Sequence, residues 1–201
     1  MAVGPSSQCL TSRSSTTLHS GRSVASRSPF ARLTVGVRLH MDVRDKQDCQ
    51  GNIRRIQELL GSGIFNSNNA GHLLQQSAFI DLMICLRDLM HKTEKYAKRI
   101  DFTDDILLND YVKDVTGAIT AVRDGCCHID SFKKLFDDRG NRGSFNVAYG
   151  RCNFMKIDDL ELKSDYDDDA AVFYGRNRLY FKRHIIRAFE EAQALLAPYL
   201  A

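Results

Sequence analysis

His72-Leu-Leu-Gln-Gln-Ser-Ala-Phe79-Ile-Asp-Leu82-Met83-Ile-Cys-Leu86-Arg-Asp-Leu-Met90-His-Lys-Thr-Glu-Lys-Tyr96-Ala97-Lys98 sets how the rest of this chain is read. Its apolar side chains Leu74, Phe79, Leu82, Met83, Leu86, Met90, Tyr96 and Ala97 recur every three or four residues. That period lines one side of an α-helix. The charged residues between Leu86 and Arg99 fall on the opposite side. The spacing predicts a long helix with one face on a core and the other in water, as in a helical bundle.

Upstream, Asn52 to Leu60 predicts a short amphipathic helix with Ile53, Ile56, Leu59 and Leu60 on one face. Gly61-Ser-Gly63 and Asn66-Ser-Asn-Asn-Ala-Gly71 make the connecting loop. Downstream, Thr103-Asp-Asp offers an N-cap. A helix follows on Leu108, Tyr111, Val112, Val115, Ile119 and Val122 and delivers Arg123. Gly125 is expected to interrupt it, and His128 to about Phe136 to resume helically, before the loop Asp137-Asp-Arg-Gly-Asn-Arg-Gly143. Residues 144–181 change character. Phe145 to Tyr149 and Ala171 to Tyr174 read as short strands, and Gly175-Arg-Asn-Arg178 as the turn into Leu179-Tyr-Phe181. An amphipathic helix from about Lys182 to Ala197 closes the chain, stopped by Pro198. The expected fold class is all-α: a helical bundle over residues 41–201, with a small β-hairpin insertion at about 144–181 before the C-terminal helix.

The net charge of +3 is unevenly spread. Residues 1–40 hold five arginines (Arg13, Arg22, Arg27, Arg32, Arg38), no lysine and no acid. Removing those five from 28 basic residues leaves 23 against 25 acids, so the remainder carries about −2. That balance argues against broad, charge-driven coating of nucleic acid and confines any contact to a local patch. The Ser-, Thr- and Arg-rich first forty residues have too little apolar mass to offset their ordering entropy, so a disordered head is expected. Its composition fits a targeting segment, but a start assigned too far upstream is the favoured expectation, since Met41-Asp-Val-Arg-Asp-Lys begins a compositionally normal stretch. The six cysteines form no C-x-x-C pair, and no apolar run approaches the roughly 18 residues of a membrane span. The expectation is a cytoplasmic protein with no membrane contact and no cofactor.

Arg123-Asp-Gly-Cys-Cys-His128 is the stretch that carries chemistry. An imidazole can shuttle a proton at physiological pH, and a guanidinium can hold a phosphate and stabilise its developing charge. Together they suffice in principle to cleave RNA without a metal. An Arg followed by a His at comparable spacing recurs at Arg13 to His19 and at Arg178 to His184. Of these three, only Arg123 has both a polar neighbour and a helical setting. On a continuous helix five steps of about 100° would leave the two side chains some 140° apart. Their convergence therefore requires a break, assigned to Gly125. The structural alternative is an Arg123 paired on the surface with Asp124 or Asp130, with His128 capping or packing.

Arg123, the polar Asp124, three variable residues and His128 resemble the motif of the HEPN superfamily of small helical proteins of toxin–antitoxin, abortive-infection and CRISPR-associated systems. The resemblance covers roughly His72 to Phe136 and the final helix. It implies a homodimer whose two motifs meet to form one RNase site. Arg123, Asp124 and His128 would be catalytic, with no metal, and an antitoxin or nucleotidyltransferase a possible partner. Family members more often have Asn where this chain has Asp124. The alternative from another class is a non-catalytic module of the same kind that binds RNA, a nucleotide or a protein.

Other constellations carry less. Arg176, Arg178, Lys182, Arg183 and Arg187, interleaved with Tyr180 and Phe181, form a basic cluster able to track an RNA backbone. Asp165-Tyr-Asp-Asp-Asp169 lacks the glycine and the final acid of a calcium loop, and reads as a solvated anionic loop. Cys126-Cys127 beside His128 lacks a second ligand pair for zinc. Gly61-Ser-Gly63 lacks the lysine of a phosphate loop.

Overall fold

The computed structural model describes residues 40–201 apart from 129–130, 137–139 and 158–159. The expectations for residues 1–39, for Asp130 and for Asp137 to Arg139 lie outside the described residues.

The first helix, α1 (Val43–Gly61), starts nine residues before the expected Asn52. Asp42 caps it, its carboxylate accepting a hydrogen bond from the Asp45 amide at 2.8 Å. The buried stripe of α1 runs Asp45, Cys49, Ile56, and its first member is a carboxylate. A charged residue on the inward face hides this part of the helix from hydrophobic periodicity. Asp45 is accommodated because Lys92, Lys95 and Tyr96 at the far end of the next helix all donate to it. Those donors, Lys92 foremost, hold its carboxyl well below the ordinary carboxylate range.

That next helix, α2 (Gln75–Tyr96), matches the periodic stretch within three residues at either end. Phe79, Leu82, Met83, Leu86, Leu89 and Met90 are fully buried, and α2 packs against α1, α3 and α4. Burying a side chain such as Phe79 contributes about 1.5–3 kcal/mol. The third helix, α3 (Val115–Cys127), starts twelve residues after the expected cap at Thr103. Asp114 supplies the actual cap, accepting from the Gly117 amide at 2.7 Å. The intervening segment loops back on itself: Val115 N–H bonds Phe102 O and Asn109 N–H bonds Val112 O. Asp105 has a left-handed φ of 56° there, and Leu108 is 57% exposed rather than on a buried helix face.

The all-α expectation is wrong: the fold is mixed α/β, with four α-helices and five strands among the described residues. In place of one hairpin, residues 146–180 build two antiparallel sheets. Strands β1 (Asn146–Tyr149), β4 (Ala170–Tyr174) and β5 (Asn177–Tyr180) form one, in the order β1-β4-β5. Strands β2 (Cys152–Ile157) and β3 (Leu160–Ser164) form the other. Gly175 supplies the positive φ (56°) for the two-residue turn between the paired Tyr174 and Asn177. The three-stranded sheet is no appendage. Val172, Tyr174 and Leu179 face the helical core, while Ala171, Phe173 and Tyr180 face a second core with Phe136 and Leu162. Phe154 of β2 stacks on Phe173 at 4.7 Å. The sheet is thus a middle layer, and a strand buried on both faces reads as a plain apolar run, too short to be told from a helix fragment.

The final helix opens with a π-helical turn, Phe181–Ile186, and continues as α4 (Arg187–Leu200). Pro198 lies inside α4 and does not stop it. Among the described residues no helix is long and apolar enough to cross a membrane.

Candidate functional site

Helix α3 does not break at Gly125. It runs on to Cys127, and the chain leaves the helix at His128, whose φ of −113° and ψ of 117° are extended. Beyond lies the short turn Phe132–Lys134, not a resumed helix. Gly125 has a different role. A Cβ there would sit 2.9 Å from Cε1 of Tyr174, and the Tyr174 hydroxyl donates to Gly125 O at 3.0 Å. The glycine lets the sheet close on α3. Burial pushes the Tyr174 phenol up to about 12.

The inner side of α3 buries Val115, Ala118, Ile119, Ala121 and Val122, and Arg123 and Asp124 at its edge are half-buried. Arg123 Nη1 donates to Asp124 Oδ1 at 3.1 Å, and Lys133 Nζ donates to Asp124 Oδ2 at 2.6 Å. Burial acts against the Asp124 charge, yet Lys133 and then Arg123 hold its carboxyl below the ordinary range. The backbone carbonyl of Asp124 accepts from the His128 amide at 3.0 Å. The imidazole of His128 is on an exposed residue. Arg123 Nε is buried without a hydrogen-bond partner among the described residues. The Asp124 side chain thus pairs with Arg123, as in the structural alternative, and the His128 amide bond to the Asp124 carbonyl is the last i→i−4 bond of α3.

The basic cluster is assembled differently from a free cationic surface. The side chain of Arg178 is 7% exposed; its Nη1 donates to Lys163 O at 2.8 Å and pairs with Asp165 at 3.0 Å. Arg183 pairs with Asp168 and Asp169, both at 2.9 Å, and lies 3.6 Å over the Tyr166 ring. Arg187 pairs with Asp104 at 2.9 Å and Glu191 at 3.0 Å. Lys182 Nζ donates to Asp168 O. Of the five, Arg176 alone has no ion pair or hydrogen bond among the described residues; it lies exposed in the β4–β5 turn. Arg187 and Arg183 hold Asp104 and Asp168 below the ordinary carboxylate range. Asp169 is also not a solvated acid. Its buried carboxylate accepts from the Lys182 and Arg183 amides at 2.8 and 3.1 Å, capping the C-terminal helix.

His184 of the Arg178–His184 match is buried. Its Nδ1 accepts from Tyr180 N–H at 3.0 Å and its Nε2 donates to Asp104 O at 2.9 Å. Burial pushes it down to about 4. Among the described residues no group of three or more His, Cys, Asp or Glu side chains is placed to hold a metal ion. Sequence reasoning missed Lys133, which lies nine residues beyond Asp124 with no periodicity to link them.

No protein-family model, no curated protein and no solved structure matches this chain.

Proposed function

We propose that this chain is a metal-independent endoribonuclease of the kind found in toxin–antitoxin or phage-defence systems, acting in the cytoplasm as a homodimer. The observation that carries the reading is that Arg123 lies in the last turn of α3 and the chain leaves that same helix end at an exposed His128. In the reaction the ribose 2′-oxygen attacks phosphorus and the 5′-oxygen leaves, giving a 2′,3′-cyclic phosphate and a 5′-hydroxyl. His128 of one subunit takes the 2′-hydroxyl proton and His128 of the other gives a proton to the leaving 5′-oxygen. Arg123 bridges the equatorial oxygens of the phosphorane, and Asp124 is a positioning residue. The resemblance supplies the dimer, in which two such sites face one another, and the expectation of an antitoxin or nucleotidyltransferase partner.

The test is cleavage of single-stranded RNA by the full chain in excess EDTA. The expected result is product ending in 2′,3′-cyclic phosphate, no cutting of a deoxyribose-substituted strand, and loss of most activity in His128→Ala with the fold retained. Arg123→Lys is also impaired, because a point charge cannot copy the planar fork. EDTA-sensitive cutting, or full activity in His128→Ala, overturns the mechanism. One observation favours the second reading, a non-catalytic module binding RNA, nucleotide or protein: Asp124 already occupies Arg123. Binding of RNA without cleavage by a verified dimer would select it.

A further inference from the structure

We propose that the cleft between α2 and α3 is a phosphodiester-binding subsite for single-stranded RNA, centred on Arg87 and His91. The proposal rests on the ribonuclease reading for the identity of the nucleic acid. Arg87 and His91 stand four residues apart on α2, so they lie one above the other on the same helix face. The Arg123 and His128 pair lacks that alignment. Both Arg87 and His91 line a cavity of ≈ 270 Å³ whose far wall is the first turns of α3, including Gly117 and Thr120. That volume accommodates a phosphate with part of a ribose.

The charges around the cleft single out these two residues. Arg99 is committed to Asp114 at 2.7 Å and to Glu94 at 3.0 Å. Those contacts also neutralise Glu94, the acid of the cleft wall. Lys133 is committed to Asp124. Arg87 and His91 make no ion pair or hydrogen bond through their side chains among the described residues, although Arg87 is half-buried. A half-buried guanidinium facing an empty cavity is suited to a doubly hydrogen-bonded phosphate. Tyr111 closes one side of the cleft, and Phe132 meets its ring edge-on at 5.5 Å outside it. Lys133 joins the cleft to the motif, because it lines the cleft and grips the Asp124 that holds Arg123. A strand lying in the cleft would thus run toward Arg123.

Binding is read separately from cutting. A fluorescein-labelled single-stranded RNA is titrated with full-length His128→Ala protein, which leaves the RNA intact, and with the same protein carrying Arg87→Gln, His91→Asn or the control Arg55→Gln. Arg87→Gln is expected to weaken binding by about tenfold, the loss typical of one charge-assisted hydrogen-bonded contact. It should also flatten the log–log salt dependence by about 0.7, one phosphate's worth for a single strand. Arg55→Gln should change neither. If Arg87→Gln does not fold, His91→Asn carries the test, with a smaller loss of affinity and no change of salt slope. Unlabelled RNA should displace the probe, and inorganic phosphate at the same phosphate concentration should not; displacement by inorganic phosphate reduces the cleft to an ion site and overturns the proposal. Unchanged binding in Arg87→Gln and His91→Asn, or no RNA binding by the parent, also overturns it. Cleavage by wild type alongside unchanged binding in these variants would sink the subsite and leave the ribonuclease reading standing. Loss of binding in Arg87→Gln with no cleavage by wild type would do the reverse.

Discussion

Gly125 shows how two opposing magnitudes are settled at a single residue. In an exposed helix, Gly→Ala would stabilise by about 1 kcal/mol through propensity. Here the added methyl would meet the Tyr174 ring at 2.9 and 3.0 Å. That ring cannot slide away without giving up its hydrogen bond to Gly125 O. Overpacking of this sort costs about 1–3 kcal/mol, so the steric term wins and Gly125→Ala is expected to lower stability. A denaturant midpoint at or above wild type would show that the sheet moves freely on α3. His184 gives a second residue-scale expectation, in pH. Its folded pKa is depressed to about 4 by burial, against about 6.5 when unfolded. The unfolded chain therefore binds more protons through this window, and stability is full above about pH 6.5 and falls as pH drops toward 4. A depression of that size corresponds to roughly 3 kcal/mol. The carboxylates with lowered values, Asp104, Asp124 and Asp168 among them, lose their contributions only below the ordinary carboxylate range, so the two windows separate. Urea titrations at pH 7 and pH 4.5 should differ, and His184→Gln should flatten the difference. Equal midpoints at the two pH values in wild type would refute the assignment.

At the scale of elements, the aspartates did most to make the sequence misleading. Asp45 sits on the buried stripe of α1 and shortened the expected helix; Asp114, not Thr103, starts α3; Asp169 caps the last helix although its neighbours Asp167 and Asp168 are exposed. Each was given its place by partners distant in sequence, which periodicity cannot reveal. The helices α2 and α4 were legible because their apolar stripes are long and uninterrupted. The strands β1 and β4 were found, but β2 and β3 were not, since Asn153, Lys156, Glu161 and Lys163 interrupt their apolar residues. The geometry of the candidate site residues was not legible: the helix passes through Gly125, and the basic cluster is mostly consumed by acids. Asp169 lends itself to a direct test. Removing its buried carboxylate uncaps the helix and leaves Arg183 without one of its two anions. Loss of the cap contributes about 1 kcal/mol, and loss of a buried charged acceptor about 1–3 kcal/mol more. Asp169→Ala should therefore lose about 2–4 kcal/mol, while Asp167→Ala, at an exposed position, should lose almost nothing. Similar midpoints for the two variants would return the segment to a solvated loop.

For the whole molecule, the open question is what meets the motif end of α3. Phe132 is 60% exposed and Leu108 57% exposed, and Tyr111 packs edge-on against Phe132. These apolar groups lie on the segments that flank α3, whose motif end carries exposed Cys127 and His128. An isologous interface would place such a patch against its own copy and bring the two His128 residues toward the two-fold axis. Met41 is 5% exposed within the helical core, so a chain from Met41 to Ala201 retains every buried residue described above. That chain should scatter light as a dimer at micromolar concentration. Phe132→Glu places a carboxylate in the patch, where pairing would bury it twice, once per subunit, without a partner. The expected outcome is a folded monomer with an unchanged helical circular dichroism spectrum and with RNA cleavage reduced in step with the loss of dimer. Raising the protein concentration should restore both together. A wild-type chain that is strictly monomeric would remove the composite site, and a Phe132→Glu dimer of full activity would place the interface on another face.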